Sequence, residues 1–332
     1  MEIFFVFLLI SFFNLVIFFK FEKISKKLIF FDKPDGNLKK HEVPVSLAGG
    51  LIILINLYFI IFSLKFFNLE DLMFNDNFIF AFILLSTSFY LIGVVDDLKN
   101  LSPNIKLFFL FVVISLIIYF FPEFRLDYIK ISFLTKFYTF DYSGLFLILS
   151  FVLLANAMNM FDGINLQLIL FTSFMFIIFI LKGFISTFFL LLLIPMIFLA
   201  ILNFQNKVFL GDGGSYLISA ILGSTFIYQY NNFENYLFGD EVFLILIIPS
   251  IDMLRLFLLR IIYRKNPFKG DLNHLHHLVN NFTQNKSLTV LITITLCIFP
   301  SIILLMSVPS YIVLILSLIF YFSFITYLRI KI

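Results

Sequence analysis

Residues 184–203 read FISTFFLLLLIPMIFLAILN, a stretch of 20 residues without a charged side chain. A helix that crosses the hydrocarbon core of a bilayer needs about 20 mostly apolar residues, so this stretch predicts a membrane-spanning helix. Comparable runs recur near residues 2–19, 46–67, 77–95, 106–121, 144–160, 166–182, 214–230, 240–262, 288–306 and 309–328. We therefore predict an all-α polytopic membrane protein with about eleven transmembrane helices, forming a single domain over residues 1–332.

The composition of the whole chain agrees with this prediction. Of its 332 residues, 61% are hydrophobic and 13% are charged, whereas a soluble domain is about half apolar and about a quarter charged. A water-soluble globule is therefore excluded. The net charge of +3 is small and dispersed, which argues against a nucleic acid partner. Cys297 is the single cysteine, so the chain has neither an internal disulfide nor a thiolate metal site.

Lysine and arginine are distributed unevenly between the two sides of the membrane. When the connections are assigned alternately to the two sides, 18 of the 23 basic residues fall on one side, which the positive-inside rule makes cytoplasmic. The N-terminus is then outside and the C-terminus cytoplasmic, which requires an odd number of spans. The expected cytoplasmic loops lie near residues 20–45, 96–106, 161–166, 204–213 and 263–287. Outside, segment 122–143 alternates polar and apolar residues, which predicts a small β-hairpin.

Polar residues concentrate on the predicted cytoplasmic side. All four histidines lie there, and the cytoplasmic connections carry groups of polar side chains that would be costly in lipid. In chain order, the five groups are Asp32–His41, Asp96–Pro103, Asn156–Asn165, Lys207–Ser215 and Asp252–His277. Acids gathered at one membrane face favour an interfacial active site over a transport path, which would place them near the bilayer midplane.

Asp96 and Asp97 stand side by side at the end of a predicted helix. Carboxylates there oppose the helix dipole, and two adjacent ones do not both ionise cheaply without a nearby cation. The pair is either a metal or general-base site or a solvated helix end. In Gly211–Ser215, the glycine amides suit a phosphate and Asp212 offers a hard oxygen for Mg²⁺, although glycine-rich turns are common.

Asn156, Asn159 and Asp162 recur every three residues and would share one helix face. This stripe is either part of a polar site or a source of interhelical hydrogen bonds. His274 and His277 have the same spacing. They suit a diphosphate better than zinc because no cysteine or HExxH pattern accompanies them. The alternative is an interfacial polar loop.

Further charged side chains complete the set of candidates. Lys106 and Arg260 are candidates for phosphate binding. Asp252 and Arg255, behind Pro249, either serve the site or pair with each other inside the span. Carboxylates for Mg²⁺, glycine amides and basic side chains are together what phosphoryl transfer requires. Their place at the membrane surface indicates that one substrate is a lipid.

The five groups, in this order, resemble the motifs of the polyprenyl-phosphate N-acetylhexosamine-1-phosphate transferases, glycosyltransferase family 4. The resemblance implies a multi-pass enzyme of the bacterial inner membrane with a cytoplasmic active site. It implies transfer of N-acetylhexosamine 1-phosphate from UDP-N-acetylhexosamine to undecaprenyl phosphate with release of UMP, the initiating step of a cell-surface glycan. It also implies Mg²⁺ as cofactor, with Mn²⁺ as the alternative, and leaves the oligomeric state open, a homodimer included.

The resemblance also assigns roles to individual residues. It makes Asp96 and Asp97 catalytic, one of them as base for the lipid phosphate. It makes Asp212 and Asn159 ligands of the metal. The substrate-binding residues that it implies are Lys40, His41, Lys106, Asn156, Asp162, Asn165, Arg260, His274, His276 and His277.

Several positions depart from the family pattern. Asn165 stands where the family has a second aspartate near the uracil, and Leu166 and Gln167 stand where it has Gly-Leu. Gly213 stands where Ser or Thr is common. Residues 273–277 read NHLHH, which resembles the branch that transfers GlcNAc 1-phosphate rather than the muramoyl-pentapeptide branch, with its three consecutive histidines.

Three alternatives stand beside the expected reaction. One is an activity like that of the phospho-N-acetylmuramoyl-pentapeptide transferases. Another is a lipid or sugar transporter, against which the lack of an internal repeat argues. The third is a non-catalytic relative, since Asn165 departs from the pattern at the uracil position. A CDP-alcohol phosphotransferase is excluded because its Asp-Gly-x-x-Ala-Arg signature is absent.

Overall fold

The computed structural model of this chain describes residues 1–27, 31–32, 44–134, 138–139, 142–232, 237–266 and 272–331. The described helices are α1 (Glu2–Ser25), α2 (Gly49–Phe66), α3 (Asp76–Lys99), α4 (Pro103–Phe120), α5 (Ser143–Phe161), α6 (Gln167–Leu181), α7 (Ser186–Phe204), α8 (Gly211–Asn232), α9 (Gly239–Ile245), α10 (Ile247–Ile262), α11 (Leu275–Thr283), α12 (Lys286–Leu305) and α13 (Ser310–Lys331). The described strands are β1 (Phe31–Asp32), β2 (Val45–Ser46), β3 (Tyr128–Ile129) and β4 (Tyr138–Thr139). Apart from these short strands, the regular structure is helical, and the predicted fold class is confirmed.

Eight of the described helices are long and apolar enough to cross a membrane, namely α1 to α5, α7, α12 and α13. A ninth crossing results if α9 and α10 are counted as one span. Each of these helices lies at a predicted span. Large apolar side chains such as Phe4, Phe62 and Phe108 are exposed on them, as expected of surfaces that face lipid tails.

Two predicted spans coincide with helices that do not meet this criterion. The helix α6 has 15 residues, fewer than the roughly 20 that a crossing needs. The helix α8 has 22 residues but is rich in glycine, serine and amide side chains. Residues 213–229 are all buried, so protein covers the side chains of α8 and they need not be apolar. The number of eleven crossings stays a prediction.

The predicted span 240–262 is broken in the structure. The helices α9 and α10 meet at Leu246 with a bend of 77°. Pro249 accounts for the break, because a proline ring clashes with the carbonyl four residues earlier, and that carbonyl belongs to Ile245, the last residue of α9.

Several connections between these helices contain regular structure. The strands β3 and β4 pair antiparallel, which confirms the hairpin predicted in segment 122–143, and β1 pairs with β2 in the same way. The connection expected near 263–287 contains the nine-residue helix α11, and its cytoplasmic location stays a prediction. Because its residues are largely polar, the pattern of long apolar runs does not predict this helix.

The chain packs into two compact units, of which unit 1 comprises Met1–Glu123 and Thr172–Ser224. Within it, α1 and α2 both pack against α7, and α3 packs against α2 and α4. Asn14 on α1 and Asn56 on α2 are buried, and their amides exchange hydrogen bonds of 2.7 and 3.1 Å. Polar pairs of this kind hold helices together in lipid.

Unit 2 comprises Phe124–Phe171 and Thr225–Ile332. Within it, α10 packs against α5 and α12, and the short helix α11 packs against α12 and α13. The helix that carries His276 and His277 is therefore held by two helices of its own unit. The single domain predicted for residues 1–332 stays a prediction.

Candidate active site

The first polar site lies in unit 1, where α3 ends and α8 begins. Asp96 and Asp97 occupy the last turn of α3, and Asp212 occupies the first turn of α8; we call these three residues the carboxylate cluster. Lys106, near the start of α4, supplies a positive charge beside it. The structure thus brings together four predicted site residues, although Asp97 and Asp212 are 115 positions apart.

Asp97 holds the N-terminus of α8. Its two carboxylate oxygens accept hydrogen bonds from the backbone amides of Asp212, at 3.0 Å, and Gly213, at 3.2 Å. Amides at a helix start have no partner within the helix, and negative charge is stabilised there. Two amides of the turn that was predicted to suit a phosphate therefore donate to Asp97.

Glycine is required at two positions of this junction. Gly211 has a φ of +71°, and a Cβ there would lie 2.6 Å from Oδ2 of Asp97. This backbone conformation is rare for residues with a side chain. A Cβ on Gly93 would lie 2.4 Å from the backbone of Asp212. The two glycines let α3 approach α8 closely enough for the amide contacts of Asp97.

Lys106 lies between two of the carboxylates. Its Nζ is 2.5 Å from Oδ2 of Asp96 and 3.9 Å from Oδ2 of Asp212. Asp96 is buried, and its Oδ1 also accepts a hydrogen bond of 2.9 Å from the amide of Leu101. Desolvation and the carboxyl groups of Asp96 and Asp97 raise the pKa of Asp212 well above its usual value. The cluster therefore places three carboxyl groups beside one lysine, an arrangement in which a raised pKa favours the protonated form of Asp212.

The second polar site lies in unit 2 at the start of α11. His274, which caps α11, together with His276 and His277 forms what we call the histidine cluster. The ring centroids of His274 and His276 are 5.7 Å apart with nearly parallel planes, and those of His276 and His277 are 4.2 Å apart. The three histidines predicted to act together are thus adjacent.

The structure joins Asp252 to the histidine cluster, whereas the sequence left open whether Asp252 serves the site or only pairs with Arg255. Its Oδ2 lies 2.8 Å from Nδ1 of His274. Its Oδ1 accepts hydrogen bonds from Nη2 of Arg255, at 2.8 Å, and from the hydroxyl of Tyr321, at 2.7 Å. The predicted alternative, a pair between Asp252 and Arg255, is confirmed, but the pair belongs to a larger buried network. The rare acid in an apolar span signalled Asp252, whereas nothing in the sequence signalled Tyr321.

His276 connects the histidine cluster to the end of α5. A Cβ on Gly163 would lie 2.0 Å from Nε2 of His276, so the two residues pack directly against each other. Burial first, and then the imidazoles of His277 and His274, lower the pKa of His276 well below its usual value. The ring of His276 is therefore neutral at physiological pH.

The asparagine stripe lies at the C-terminal end of α5. Asn156 donates from its amide to the carbonyl of Val152 in its own helix, at 2.7 Å. Asp162 ends the helix, and its backbone amide donates to the carbonyls of Met158 and Asn159. Asn156 thus uses a hydrogen bond within α5 rather than the interhelical one that was the alternative.

Leu166 and Gln167, which depart from the family pattern, also have an unusual backbone conformation and an unusual side-chain environment, respectively. Leu166 has a φ of +71°, a conformation that glycine adopts without strain and leucine does not. The side chain of Gln167 is fully buried, and neither of its amide atoms has a hydrogen-bond partner among the residues that the structure describes. Both residues therefore occupy positions that their chemistry does not favour.

The remaining predicted residues lie as follows. Arg260 is buried in the last turn of α10, Asn165 follows α5 in unit 2, and Lys40 and His41 lie outside the described residues. Within the described ranges, no three His, Cys, Asp or Glu side chains form a ready set of metal ligands. The catalytic, metal and substrate roles assigned from the sequence stay predictions.

Comparison with known proteins gives two matches. Residues 79–230 match the family described as glycosyl transferase family 4. This range contains the carboxylate cluster and the asparagine stripe. The undecaprenyl-phosphate alpha-N-acetylglucosaminyl 1-phosphate transferase of Thermotoga maritima is 28% identical over 281 residues, which are 82% of this chain and 80% of that protein. The similarity therefore extends over most of both chains.

Proposed function

We propose that this chain is a sugar-phosphate transferase of glycosyl transferase family 4 and that it transfers N-acetylhexosamine 1-phosphate from a UDP-sugar to undecaprenyl phosphate. The match of residues 79–230 to that family and the similarity to the Thermotoga maritima protein support this proposal. UMP is released, and the product is an undecaprenyl-diphosphate-linked sugar that initiates a cell-surface glycan. The name of the Thermotoga maritima relative supports undecaprenyl phosphate as acceptor and N-acetylglucosamine as the sugar.

The carboxylate cluster is the observation that carries this proposal. Transfer between two phosphate groups depends on positioning and on control of negative charge rather than on covalent chemistry by the protein. Asp96 is buried and held by Lys106, whereas Asp97 is occupied by the amides of α8. We therefore assign the role of base to Asp96 and the role of fixing α8 to Asp97.

The proposed step is a direct displacement. An oxygen of the lipid phosphate attacks the phosphorus that carries the sugar, and a new phosphorus–oxygen bond forms there. The bond from this phosphorus to the bridging oxygen breaks, and UMP leaves with the electron pair. Asp96 accepts the proton when the lipid phosphate carries one, and Lys106 remains beside it as the counter-charge.

The donor set of the carboxylate cluster fits Mg²⁺. This ion commonly takes one or two protein carboxylates together with waters and substrate phosphates, so three preformed protein ligands are not needed. Asp212 would hold it, since burial first and then the neighbouring carboxyl group of Asp96 raise the pKa of Asp212, and a bound cation would offset both effects. When bound, the ion neutralises charge on the diphosphate. Asn159 stays the predicted further ligand, and Mn²⁺ the alternative ion.

We assign the diphosphate of the UDP-sugar to His276, His277 and Arg260. Imidazole and guanidinium groups donate hydrogen bonds to phosphate oxygens. We also place the site on the cytoplasmic face of a bacterial inner membrane. The distribution of 18 of 23 basic residues supports this placement.

Release of UMP by the purified protein in detergent tests the proposal. The assay supplies undecaprenyl phosphate, Mg²⁺ and a panel of UDP-N-acetylhexosamines. We expect release that requires both lipid and metal, and a loss of about 100-fold or more in Asp96→Asn and Asp212→Ala. Asp76→Asn is the matched control, because Asp76 lies at the opposite end of α3, where it pairs with Lys65.

Three outcomes would contradict parts of the proposal. Near-normal release by Asp212→Ala would remove Asp212 from the metal site. Release that EDTA leaves unchanged would exclude Mg²⁺. A folded protein that binds UDP but releases no UMP with any donor would be a non-catalytic relative.

A further inference from the structure

Asp252 joins three helices of unit 2 at one carboxylate. It lies on α10, and its Oδ1 accepts hydrogen bonds from Arg255 on the same helix, from the hydroxyl of Tyr321 on α13 and from the amide of Leu275, 3.1 Å away, at the start of α11. Its Oδ2 faces His274 at 2.8 Å. The two oxygens therefore have different partners.

The partners of Arg255 strengthen this arrangement. Its Nε donates to the hydroxyl of Tyr321 at 2.9 Å, and its Nη2 also donates to the carbonyl of Asn273 at 2.8 Å. The residue before His274 is thereby fixed to α10. All of these side chains are buried, and buried networks whose members are bonded to each other specify one geometry.

The contact with Asp252 determines which ring nitrogen of His274 carries the proton. An ionised carboxylate only accepts hydrogen bonds, so Nδ1 of a neutral His274 must be the protonated nitrogen. Nε2 is then the nitrogen that remains for a ligand. A carboxylate that holds a functional histidine in this way sets both the tautomer and the orientation of the ring.

We propose that Asp252 is the positioning residue of the histidine cluster, which holds neutral His274 as the Nδ1–H tautomer and leaves Nε2 as the acceptor for a hydroxyl or N–H donor of the UDP-sugar. The part that concerns the UDP-sugar rests on the proposed function. The same carboxylate binds the first amide of α11, so it places the helix that carries His276 and His277 as well. Negative charge at a helix N-terminus stabilises the helix.

The substitution Asp252→Asn tests this proposal sharply because the network dictates how the amide is oriented. Three donors surround Oδ1, so the amide oxygen must take that position. The NH₂ group then faces Nδ1 of His274 and requires it to accept, which moves the ring proton to Nε2. The change thus reverses the tautomer of His274 with little change in volume.

The first measurement is ¹⁵N NMR of the full chain with labelled histidine, at a pH well above the ordinary histidine pKa of about 6.5. The chain has four histidines, and His274→Gln assigns the signal of His274. We expect the Nδ1–H tautomer in the unmodified protein and the Nε2–H tautomer in Asp252→Asn. An Nε2–H signal in the unmodified protein, or no change in Asp252→Asn, would overturn the proposal.

The second measurement is a double-mutant cycle on UMP release. We expect Asp252→Asn to lower kcat/KM for the UDP-sugar by about 10–100-fold, as loss of a supporting group around a functional histidine does. In a His274→Gln background, the same change should have little further effect, since Asp252 acts through His274. If the two losses instead multiply, Asp252 serves only the fold.

The control and the two readouts separate the ways in which the proposal can fail. The double variant Asn14→Leu/Asn56→Leu removes a buried polar pair of unit 1 and should leave the tautomer and kcat/KM unchanged. A reversed tautomer without turnover in any sample would reject the proposed function but retain the positioning role. Turnover with an unchanged tautomer would reject the positioning role alone.

Discussion

At the scale of single residues, Gln167 is in an unfavourable environment. Its side-chain amide is fully buried and lacks hydrogen-bond partners among the described residues. We expect Gln167→Leu to raise the free energy of unfolding by about 1–3 kcal/mol, because an unsatisfied buried amide is destabilising by that amount. Thermal unfolding in detergent can be followed with a maleimide dye, since the one cysteine, Cys297, is buried.

The exposed Gln205 at the end of α7 provides the matched control, because Gln205→Leu removes no buried amide. A lower unfolding temperature for Gln167→Leu than for the unmodified protein would show that the amide of Gln167 has a stabilising partner, such as ordered water.

His276 makes stability depend on pH in one direction. Its pKa is lowered in the folded state, whereas in the unfolded chain it is about 6.5. Below that pH the unfolded chain binds a proton at His276 that the folded protein does not bind. The free energy of unfolding therefore has its full value above about pH 6.5 and falls on acidification, by up to about 1.4 kcal/mol per pH unit. Unfolding temperatures between pH 8 and pH 5, in roughly half-unit steps, should show this slope.

The slope should be smaller in His276→Gln, which cannot titrate, than in His277→Gln, which retains His276. Equal slopes in the two variants would assign the pH dependence to another group.

Local sequence identified part of the polar sites and missed the rest for a physical reason. Asp96, Asp97 and Asp212 were predicted because acids are rare in apolar runs and sit beside glycines at helix ends. The network of Asp252 joins residues 22 and 69 positions apart. Such contacts depend on tertiary packing, which leaves no pattern in the neighbouring sequence.

At the scale of elements, the apolar runs predicted where helices occur but not where they end or bend. Each predicted span coincides with a helix or, at 240–262, with the pair α9 and α10. The short helix α11 was missed because it is too polar and too short for a span, and its formation depends on packing against α12 and α13. The polarity of α8 is explained only by its burial.

The pairing of α1 with α2 gives a prediction at this scale. Asn14→Leu alone leaves the buried amide of Asn56 without its partner, whereas Asn14→Leu/Asn56→Leu removes both groups. We expect the single variant to be less stable than the double variant, with a coupling of about 0.6–1.7 kcal/mol. Unfolding temperatures in detergent measure the difference, and a double variant less stable than the single one would contradict the expectation.

At the scale of the whole molecule, the distribution of basic residues predicts its orientation. We expect Asp127→Cys to react with a membrane-impermeant maleimide from outside the cell, and Lys265→Cys to react only after permeabilisation. Both side chains are exposed, and 18 of the 23 basic residues lie on the predicted cytoplasmic side. Replacement of Cys297 by Ser removes the background.

Reaction of Lys265→Cys in intact cells would reverse the orientation and place the histidine cluster outside. Equal labelling of both variants in intact cells would indicate two populations of opposite topology.

The buried polar side chains of α8 also affect how this helix enters the membrane during synthesis. A nascent segment leaves the translocon for lipid when the transfer free energies of its side chains favour lipid, and α8 carries Ser215, Ser219, Ser224 and Gln229. We expect this segment to wait beside the translocon until helices already synthesised cover it. Biosynthetic yield would then depend on the order in which helices assemble more than on the insertion of any one of them.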